Sequence, residues 1–299
     1  MKILVTGANG LLGQYLVKQL LHAGYFVVAT GKGENRHPVE ALNCFVYYDM
    51  DILDEPTVNQ VMEKERPEVV VHAAAMTQVD DCEKDPERAE AVNVKGTAQV
   101  LVNAEAISTH FIYVSTDFVF DGEKGMYVET DECNPVNFYG FTKLQAEAIT
   151  ETSAIPFAIV RTCLVYGQPL HGKRSNIFTW VKNSLESGQP IRVVDDQWRT
   201  PTYVEDLAKG IALIIQKKAT GTYHLSGEEG MSPFEFASRV ATHFGLTTSL
   251  IERVTAENFT QPGRRPPKTG FEIRKAKSEL EYAPRDLEEG FRSMFPSGG

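Results

Sequence analysis

An α/β fold with a doubly wound parallel sheet and a smaller C-terminal lobe is predicted by three observations. Short apolar runs alternate with helical patterns through residues 1–167. A glycine-rich turn, Gly7-Ala-Asn-Gly10-Leu-Leu-Gly13, joins the first apolar run to the first helical one. After Gly167 the alternation gives way to polar loops and isolated elements. Residues 1–167 therefore read as one domain and 168–299 as mostly a second lobe, with a part of about 190–225 returning to the sheet.

Lys2-Ile-Leu-Val5 stops at Thr6-Gly7 and reads as a buried strand by its length and punctuation. Tyr15 to Leu21 follows at helical spacing and closes at Gly24, and Tyr25 to Thr30 is a second strand. Strand, glycine turn, helix and strand in that order make the βαβ unit of a Rossmann-type dinucleotide site. The glycines let the backbone approach a pyrophosphate, whose charge the helix N-terminus favours. The second strand ends in Thr30-Gly31-Lys32-Gly33, without the acid that would hold a ribose 2′-hydroxyl. Lys32 and Arg36 suit a 2′-phosphate, which favours NADPH with NADH as the alternative; a solvated loop is the plainer reading of both cations.

Cys44 to Tyr48 is the third strand. Asp49, beside Met50 at its end, is placed either to accept from an adenine amino group or to cap the helix Pro56–Lys64. Glu68 to Val71 is the fourth strand, and Ala73-Ala74-Ala75 after it are small enough for close ligand approach. His72 between them reads as packed. Asp80, Asp81 and Glu83 read as a solvated helix start rather than a metal cluster. Ala89 to Ala106 is a long amphipathic helix carrying Asn93, and Phe111 to Val114 is the fifth strand, with Thr116 at its end.

Tyr139 and Lys143 are four apart and share a helix face. An ammonium there favours the phenolate, help that a phenol titrating near ~10 needs for proton transfer at neutral pH. An incidental surface helix offers the same pair, and the glycine turn upstream is what favours chemistry. Pro156 to Val160 is the sixth strand, ending in Arg161-Thr-Cys-Leu-Val-Tyr-Gly167.

In the second lobe, a polar stretch His171–Asn176 precedes a helix Ile177–Leu185. A strand Ile191–Val194, a helix Val204–Lys217 and a strand Tyr223–Leu225 follow. Ser232-Pro-Phe-Glu235 is a capping box opening a helix to about Phe244. Arg264-Arg-Pro-Pro-Lys268 is a rigid basic loop, Trp198 is either an aromatic face for a base or sugar or a core residue, and Ser297-Gly-Gly299 is a frayed end.

Composition is 42% apolar and 23% charged, ordinary for a globular protein. A net charge of −10 argues against nucleic acid as a partner. Residues 1–5 enter a strand directly, so no leader is expected, and no apolar run has membrane-spanning length. The four cysteines, Cys44, Cys82, Cys133 and Cys163, are scattered and read as reduced thiols in a cytoplasmic protein.

Together, Thr6-Gly-Ala-Asn-Gly-Leu-Leu-Gly13, Ala73-Ala-Ala75, Asn93-Val-Lys-Gly-Thr97 and Tyr139-x-x-x-Lys143 resemble the extended short-chain dehydrogenase/reductase superfamily over nearly the whole chain. Ser115-Thr-Asp-Phe-Val-Phe-Asp-Gly122, Asn137-Phe-Tyr-Gly-Phe-Thr-Lys143, Arg161 to Gly167, Arg199 to Leu207 and Arg264-Arg-Pro266 narrow the likeness to the dTDP-4-dehydrorhamnose reductase family. The resemblance implies that Tyr139 protonates a C4 oxygen, that Lys143 binds the nicotinamide ribose, and that Thr116 binds the reacting oxygen. It implies a cofactor held by Gly7, Asn9, Gly10, Leu11, Leu12, Gly13, Lys32, Asp49, Met50, Ala73, Ala74 and Ala75, besides Tyr139 and Lys143. It implies a nucleotide sugar met by Thr77, Val79, Thr116, Asp117, Phe118, Asn176, Trp198 and Arg265, with Asn176 and Arg265 at the diphosphate. A homodimer is implied too, and Mg2+, which some members hold through acidic residues at that interface, has no convincing ligand set here.

Departures from the family pattern narrow the chemistry. Nucleotide-sugar dehydratases carry Asp-Glu after the threonine, whereas Asp117-Phe118 stands here, so elimination is not expected. Cys163-Leu164 replaces a usual Ser-Trp and Arg199-Thr200 a usual glycine context, which leaves the sugar open. The beta subunit of methionine adenosyltransferase shares the Ser-x-Asp-x-Val-Phe-Asp-Gly stretch, and its resemblance implies an alternative: an NADP-binding regulatory subunit without turnover. Another nucleotide-sugar reductase or an epimerase is the remaining alternative.

Overall fold

The computed structural model describes residues 1–37, 43–172, 175–258 and 261–295; Lys173, Arg174 and the Ser297-Gly-Gly299 end lie outside the described residues. The first half runs β1 (Lys2–Thr6), α1 (Leu11–His22), β2 (Phe26–Gly31), β3 (Phe45–Asp49), α2 (Glu55–Glu65), β4 (Val69–His72), α3 (Val79–Lys84), α4 (Pro86–Glu90), α5 (Gly96–Ala106), β5 (His110–Thr116), α6 (Phe138–Glu151) and β6 (Phe157–Thr162). The second half runs β7 (Val165–Tyr166), α7 (Ile177–Glu186), β8 (Ile191–Val194), β9 (Thr202–Tyr203), α8 (Val204–Lys217), β10 (Gly221–His224), α9 (Pro233–His243), β11 (Ile251–Val254) and α10 (Leu287–Met294).

Seven strands form one parallel sheet in the order β3-β2-β1-β4-β5-β6-β10. This is a Rossmann-type α/β fold. The alternation of side chains along each strand sorts the core into two layers. Ile3, Val5, Val27, Val69, Val71 and Ile112 pack with α1 and α8, through Leu16, Leu20, Leu207 and Ile211. Leu4, Val28, Val70, Phe111, Tyr113 and Ile159 face the opposite layer, with Val58, Met62, Val100 and Ala146 of α2, α5 and α6. The chain runs outward from β1 in one direction and from β4 in the other, so a crevice opens at the carboxyl ends of these neighbours. Gly7 follows β1 there and Ala73 follows β4.

Two readings of the sequence change. The single helix Ala89–Ala106 is broken by a π-helical turn, Ala91–Lys95, between α4 and α5. Gly96 sits where a Cβ would lie 2.7 Å from Ile52 Cδ1. The wide turn carries fully buried Asn93 inward, as such bulges do at functional sites. Of the stretch about 190–225, β10 pairs with β6 at the sheet edge and α8 packs on α1, but β8 pairs with β11 outside the sheet. Short β7 and β9 pair with each other, and α10 is closed by an Asp286–Glu289 capping box.

Candidate active site

The crevice is a cavity of about 1360 Å³ that runs from the glycine turn to the lobe. Its cofactor end is built from backbone. Gly7 has φ +66°, and a Cβ on it would lie 2.8 Å from Ala74 N. A Cβ on Gly13 would lie 2.4 Å from the Gly7 carbonyl oxygen. The turn therefore needs both glycines: one for its left-handed backbone, the other for helix-to-turn contact. Gly10 begins α1 without any side-chain cap, so the first amides of the helix face the cavity unanswered by a side chain. Thr6 ties the two strand ends together, its Oγ1 accepting from Ala73 N and Ala74 N at 3.1 Å each. His72 is packed as read: buried, stacked on Phe111 and Tyr113, and hydrogen-bonded to Thr6 and Thr97. Burial pushes it down to about 3. Asn93 brackets the next loop, accepting from Met76 N at 2.8 Å and donating to the Met76 carbonyl at 3.0 Å and Thr142 Oγ1 at 3.0 Å.

Asn9, Gly10, Leu11, Leu12, Gly13, Lys32, Arg36, Met50, Ala73, Ala74 and Ala75 all line this end. Asn9 acts on the loop rather than only on the cavity: it donates to Lys32 O, Glu34 O and Tyr47 Oη and accepts from Arg36 N. Asp49 is the exception among the expected cofactor residues. It lies off the cavity and accepts from Gly33 N at 2.8 Å, while Asp51 lines the wall and pairs with Lys32 Nζ at 2.6 Å. β3 ends at Asp49, and Asp51 lies past it in the loop that borders the crevice.

Thr116, Tyr139 and Lys143 are buried and line the cavity floor. β5 delivers Thr116, and α6 delivers the other two, with Asn137 capping α6 through Gly140 N at 2.8 Å. Gly140 permits the approach: a Cβ there would overlap the Phe118 carbonyl. Lys143 is buried, donates from Nζ to Val114 O at 2.8 Å and lies 4.1 Å from the Tyr113 ring centroid. Burial lowers it to about 7, against the opposing pull of Glu147 one turn on. Glu147 is itself held by Ser115 and by a bidentate Arg161. Tyr139 packs edge-on against Phe118 at 6.1 Å. The Thr116 hydroxyl donates to Asp117 Oδ1 at 3.1 Å.

Asp117 is a buried carboxylate at the centre of a cluster that the sequence only hinted at. Cys163 Sγ donates to it at 3.3 Å, Thr269 Oγ1 also donates to it, and Arg199 Nε lies 3.8 Å away. Burial raises its carboxyl despite the guanidinium. Arg199, itself buried, also donates to the carbonyls of Trp198, Pro266 and Pro267. Cys163 and Arg199, the two departures from the family pattern, thus meet on one carboxylate. Leu164 beside them has φ +38° and lines the cavity.

Thr77, Val79, Phe118, Asn176 and Arg265 line the lobe end. Two of the expected substrate residues are otherwise engaged. Asn176 caps α7, accepting from Phe178 N and Thr179 N and donating to Gly167 O at 2.8 Å, so its amide is largely committed. Trp198 is not on the cavity; its indole covers Gly230, where a Cβ would lie 2.6 Å from the ring. Trp180, 39% exposed on α7, is the tryptophan that lines the cavity. Arg265 pairs with Asp80, which holds that carboxyl below the ordinary range. Asp80, Asp81 and Glu83 form no metal cluster; among the described residues no group of three or more acidic, His or Cys side chains could hold an ion. Likewise, no described helix is long and apolar enough to cross a membrane.

The profile of the RmlD substrate binding domain matches residues 1–297. The spore coat polysaccharide biosynthesis protein SpsK of Bacillus subtilis (strain 168) is 33% identical over 97% of this chain and 95% of its own. The methionine adenosyltransferase 2 subunit beta of Rattus norvegicus is 30% identical over 85% of this chain and 75% of its own. Among solved structures, dTDP-4-dehydrorhamnose reductase from Bacillus anthracis str. Ames in complex with NADP superposes with a TM-score of 0.86, at 29% identity over 98% of both chains. The chain belongs to the RmlD substrate binding domain family, of the extended short-chain dehydrogenase/reductase type.

Proposed function

We propose that the chain reduces the C4 keto group of a nucleotide-linked 6-deoxysugar with NADPH, converting dTDP-4-dehydrorhamnose to dTDP-L-rhamnose. The observation that carries this reading is that buried Thr116, Tyr139 and Lys143 all line one cavity that begins at the glycine turn. The likeness to a dTDP-4-dehydrorhamnose reductase bound to NADP supports it.

The fit to a dinucleotide rests on the places where a Cβ would fill the turn, at Gly7 and Gly13, and on the uncapped start of α1. There Gly7, Gly10 and Gly13 would take the pyrophosphate, Lys32 and Arg36 the 2′-phosphate, and Met50 and Ala73 to Ala75 the adenosine. When bound, the nicotinamide supplies a hydride. Tyr139 donates its phenolic proton to the C4 oxygen as that oxygen gains charge. Lys143, in its ammonium form, stabilises the phenolate left behind. Thr116 turns its hydroxyl from Asp117 to the same oxygen and fixes the carbonyl. Burial of this floor excludes water and holds the reacting carbon in place. The sugar side is framed by Thr77, Val79, Asp117, Phe118 and Leu164, with Arg265 at the diphosphate. A cytoplasmic homodimer belongs to the same proposal, with exposed Val102 of α5 and Phe141 of neighbouring α6 as the face a second copy would cover.

The test is loss of nicotinamide absorbance from NADPH in the presence of dTDP-4-keto-6-deoxy-L-mannose made in situ. Sugar-dependent oxidation is the expected result. Cofactor binding without oxidation across a panel of nucleotide sugars would sink it. The likeness to the methionine adenosyltransferase 2 subunit beta supports a second reading, a regulatory subunit that binds NADP. Co-purification with a catalytic partner, together with no turnover, would favour that reading.

A further inference from the structure

The contact between α3 and the basic loop reaches beyond this assignment. Asp80 takes Arg265 in a two-pronged pair, Nη1 to Oδ1 at 2.5 Å and Nη2 to Oδ2 at 2.8 Å. Gly263 N donates to the same Oδ1 at 3.2 Å, and Arg265 Nη1 donates back to Gly263 O at 2.6 Å. Both side chains are partly buried, at 31% and 18% exposure for Asp80 and Arg265. The backbone around them is pinned from three sides. Asn137 Nδ2 donates to Arg264 O at 2.8 Å, and Arg199 donates to the carbonyls of Pro266 and Pro267. Gly263 lies flush on α3, where a Cβ would come 2.5 Å from Val79 Cγ1. With the backbone held, the remaining freedom belongs to the guanidinium, and Asp80 removes it.

We infer that Asp80 is the positioning residue for Arg265, setting its guanidinium plane so that the unused donor edge faces the diphosphate of the substrate. The inference rests on the nucleotide-sugar reading above. Of the five N–H donors of an arginine, one Nη2 proton and both Nη1 protons are taken by Asp80 and Gly263. Nε and the second Nη2 proton remain, and Arg265 lines the cavity. A planar fork already held by a carboxylate presents a fixed pair of donors to phosphate oxygens, which a lysine could not do. Asp80 also brings a negative charge near that diphosphate. The claim is therefore that orientation outweighs repulsion.

Kinetics of the full chain with NADPH and dTDP-4-keto-6-deoxy-L-mannose, and calorimetric binding of dTDP, decide the matter. Arg265→Ala should weaken dTDP binding by ~10-fold or more, and Asp80→Asn by ~5-fold. Asp80→Asn should raise the sugar KM in step while kcat and NADPH affinity stay at parent values, which also shows the variant is folded. In the Arg265→Ala background, Asp80→Asn should add nothing. Unchanged or tighter dTDP binding in Asp80→Asn overturns the inference while leaving Arg265 as a ligand. A penalty that persists without Arg265 overturns it as well. If Arg265→Ala itself binds dTDP like the parent, the diphosphate reading fails and the inference with it.

Discussion

The two ends of the cavity are built in different ways. At the cofactor end, the wall nearest the strand ends is backbone: a glycine turn, the start of α1 and a run of alanines, with Lys32, Arg36, Met50 and Asp51 at its margin. At the lobe end, the wall is side chains whose partners lie far along the chain, such as Asp80 with Arg265 and Asp117 with Thr269. A backbone site tolerates little variation and is spent on one ligand class. A side-chain site can be rewired one residue at a time, which is how a shared fold comes to serve many substrates. The catalytic residues sit at the seam, carried by β5 and α6.

The comparison breaks most visibly at that seam. Tyr139→Phe should cut kcat by ~10²-fold or more while NADPH affinity holds, since only the transferred proton is lost. Stopped-flow turnover beside fluorescence titration of NADPH checks both halves, and near-parent turnover would remove Tyr139 from its role. Gly7→Ala should act on the other quantity. Its φ of +66° and the 2.8 Å approach to Ala74 N leave no room for a Cβ, so NADPH affinity should fall by ~10-fold or more, with a lowered Tm.

Acidity gives a third handle. Burial lowers Lys143 to about 7, so above that pH the side chain loses the charge that supports the phenolate. The value of kcat/KM for reduction should therefore fall as pH rises past about 7, approaching tenfold per unit. A profile still flat to pH ~9 would contradict that role. For stability the sign is the opposite. The folded value lies below the unfolded ~10.4, so between the two pH values the unfolded state holds the extra proton, and this group adds stability as pH rises. Lys143→Met should accordingly leave the apoprotein at neutral pH no less stable than the parent while abolishing turnover, a trade that thermal melts reveal.

Smaller effects separate the two ends. Exchanging Lys32 and Arg36 for alanine should reduce the preference for NADPH over NADH by ~10-fold at most, because Lys32 already answers to Asp51 at 2.6 Å. Trp198→Leu should leave the sugar KM within ~2-fold of the parent, because its ring covers Gly230 rather than the cavity, whereas Trp180→Ala, on the cavity lining, should raise it by ~3-fold.

Legibility followed the same divide. The glycine turn, the strand alternation and the Tyr139–Lys143 spacing are local signals, and local signals are readable. The strand period offers no choice between Asp49 and Asp51, because residues two apart share a face; the loop after β3 decides which carboxylate reaches the cavity. Asn176 could have been read better: Asn176 and Thr179 form a capping box, a sign that the amide serves α7. The same motif at Asp286 and Glu289 announces α10. The Asp117 cluster had no such signal. Its members, Cys163, Arg199 and Thr269, come from three separate segments, and only their departure from a family pattern marked two of them. The π-turn at Ala91–Lys95 escaped because a helical pattern does not reveal one extra residue per turn.

The proposed chemistry is hydride transfer to C4 of the sugar, proton-assisted from the floor of this cavity. The most direct measurement uses NADPH deuterated at nicotinamide C4, one face at a time, with dTDP-4-keto-6-deoxy-L-mannose as acceptor and mass and proton spectra of the product. Deuterium at C4 of the sugar from one face alone, lost in Tyr139→Phe together with turnover, is the expected result. Product without deuterium from either face, or no product beside tight NADPH binding, would contradict it.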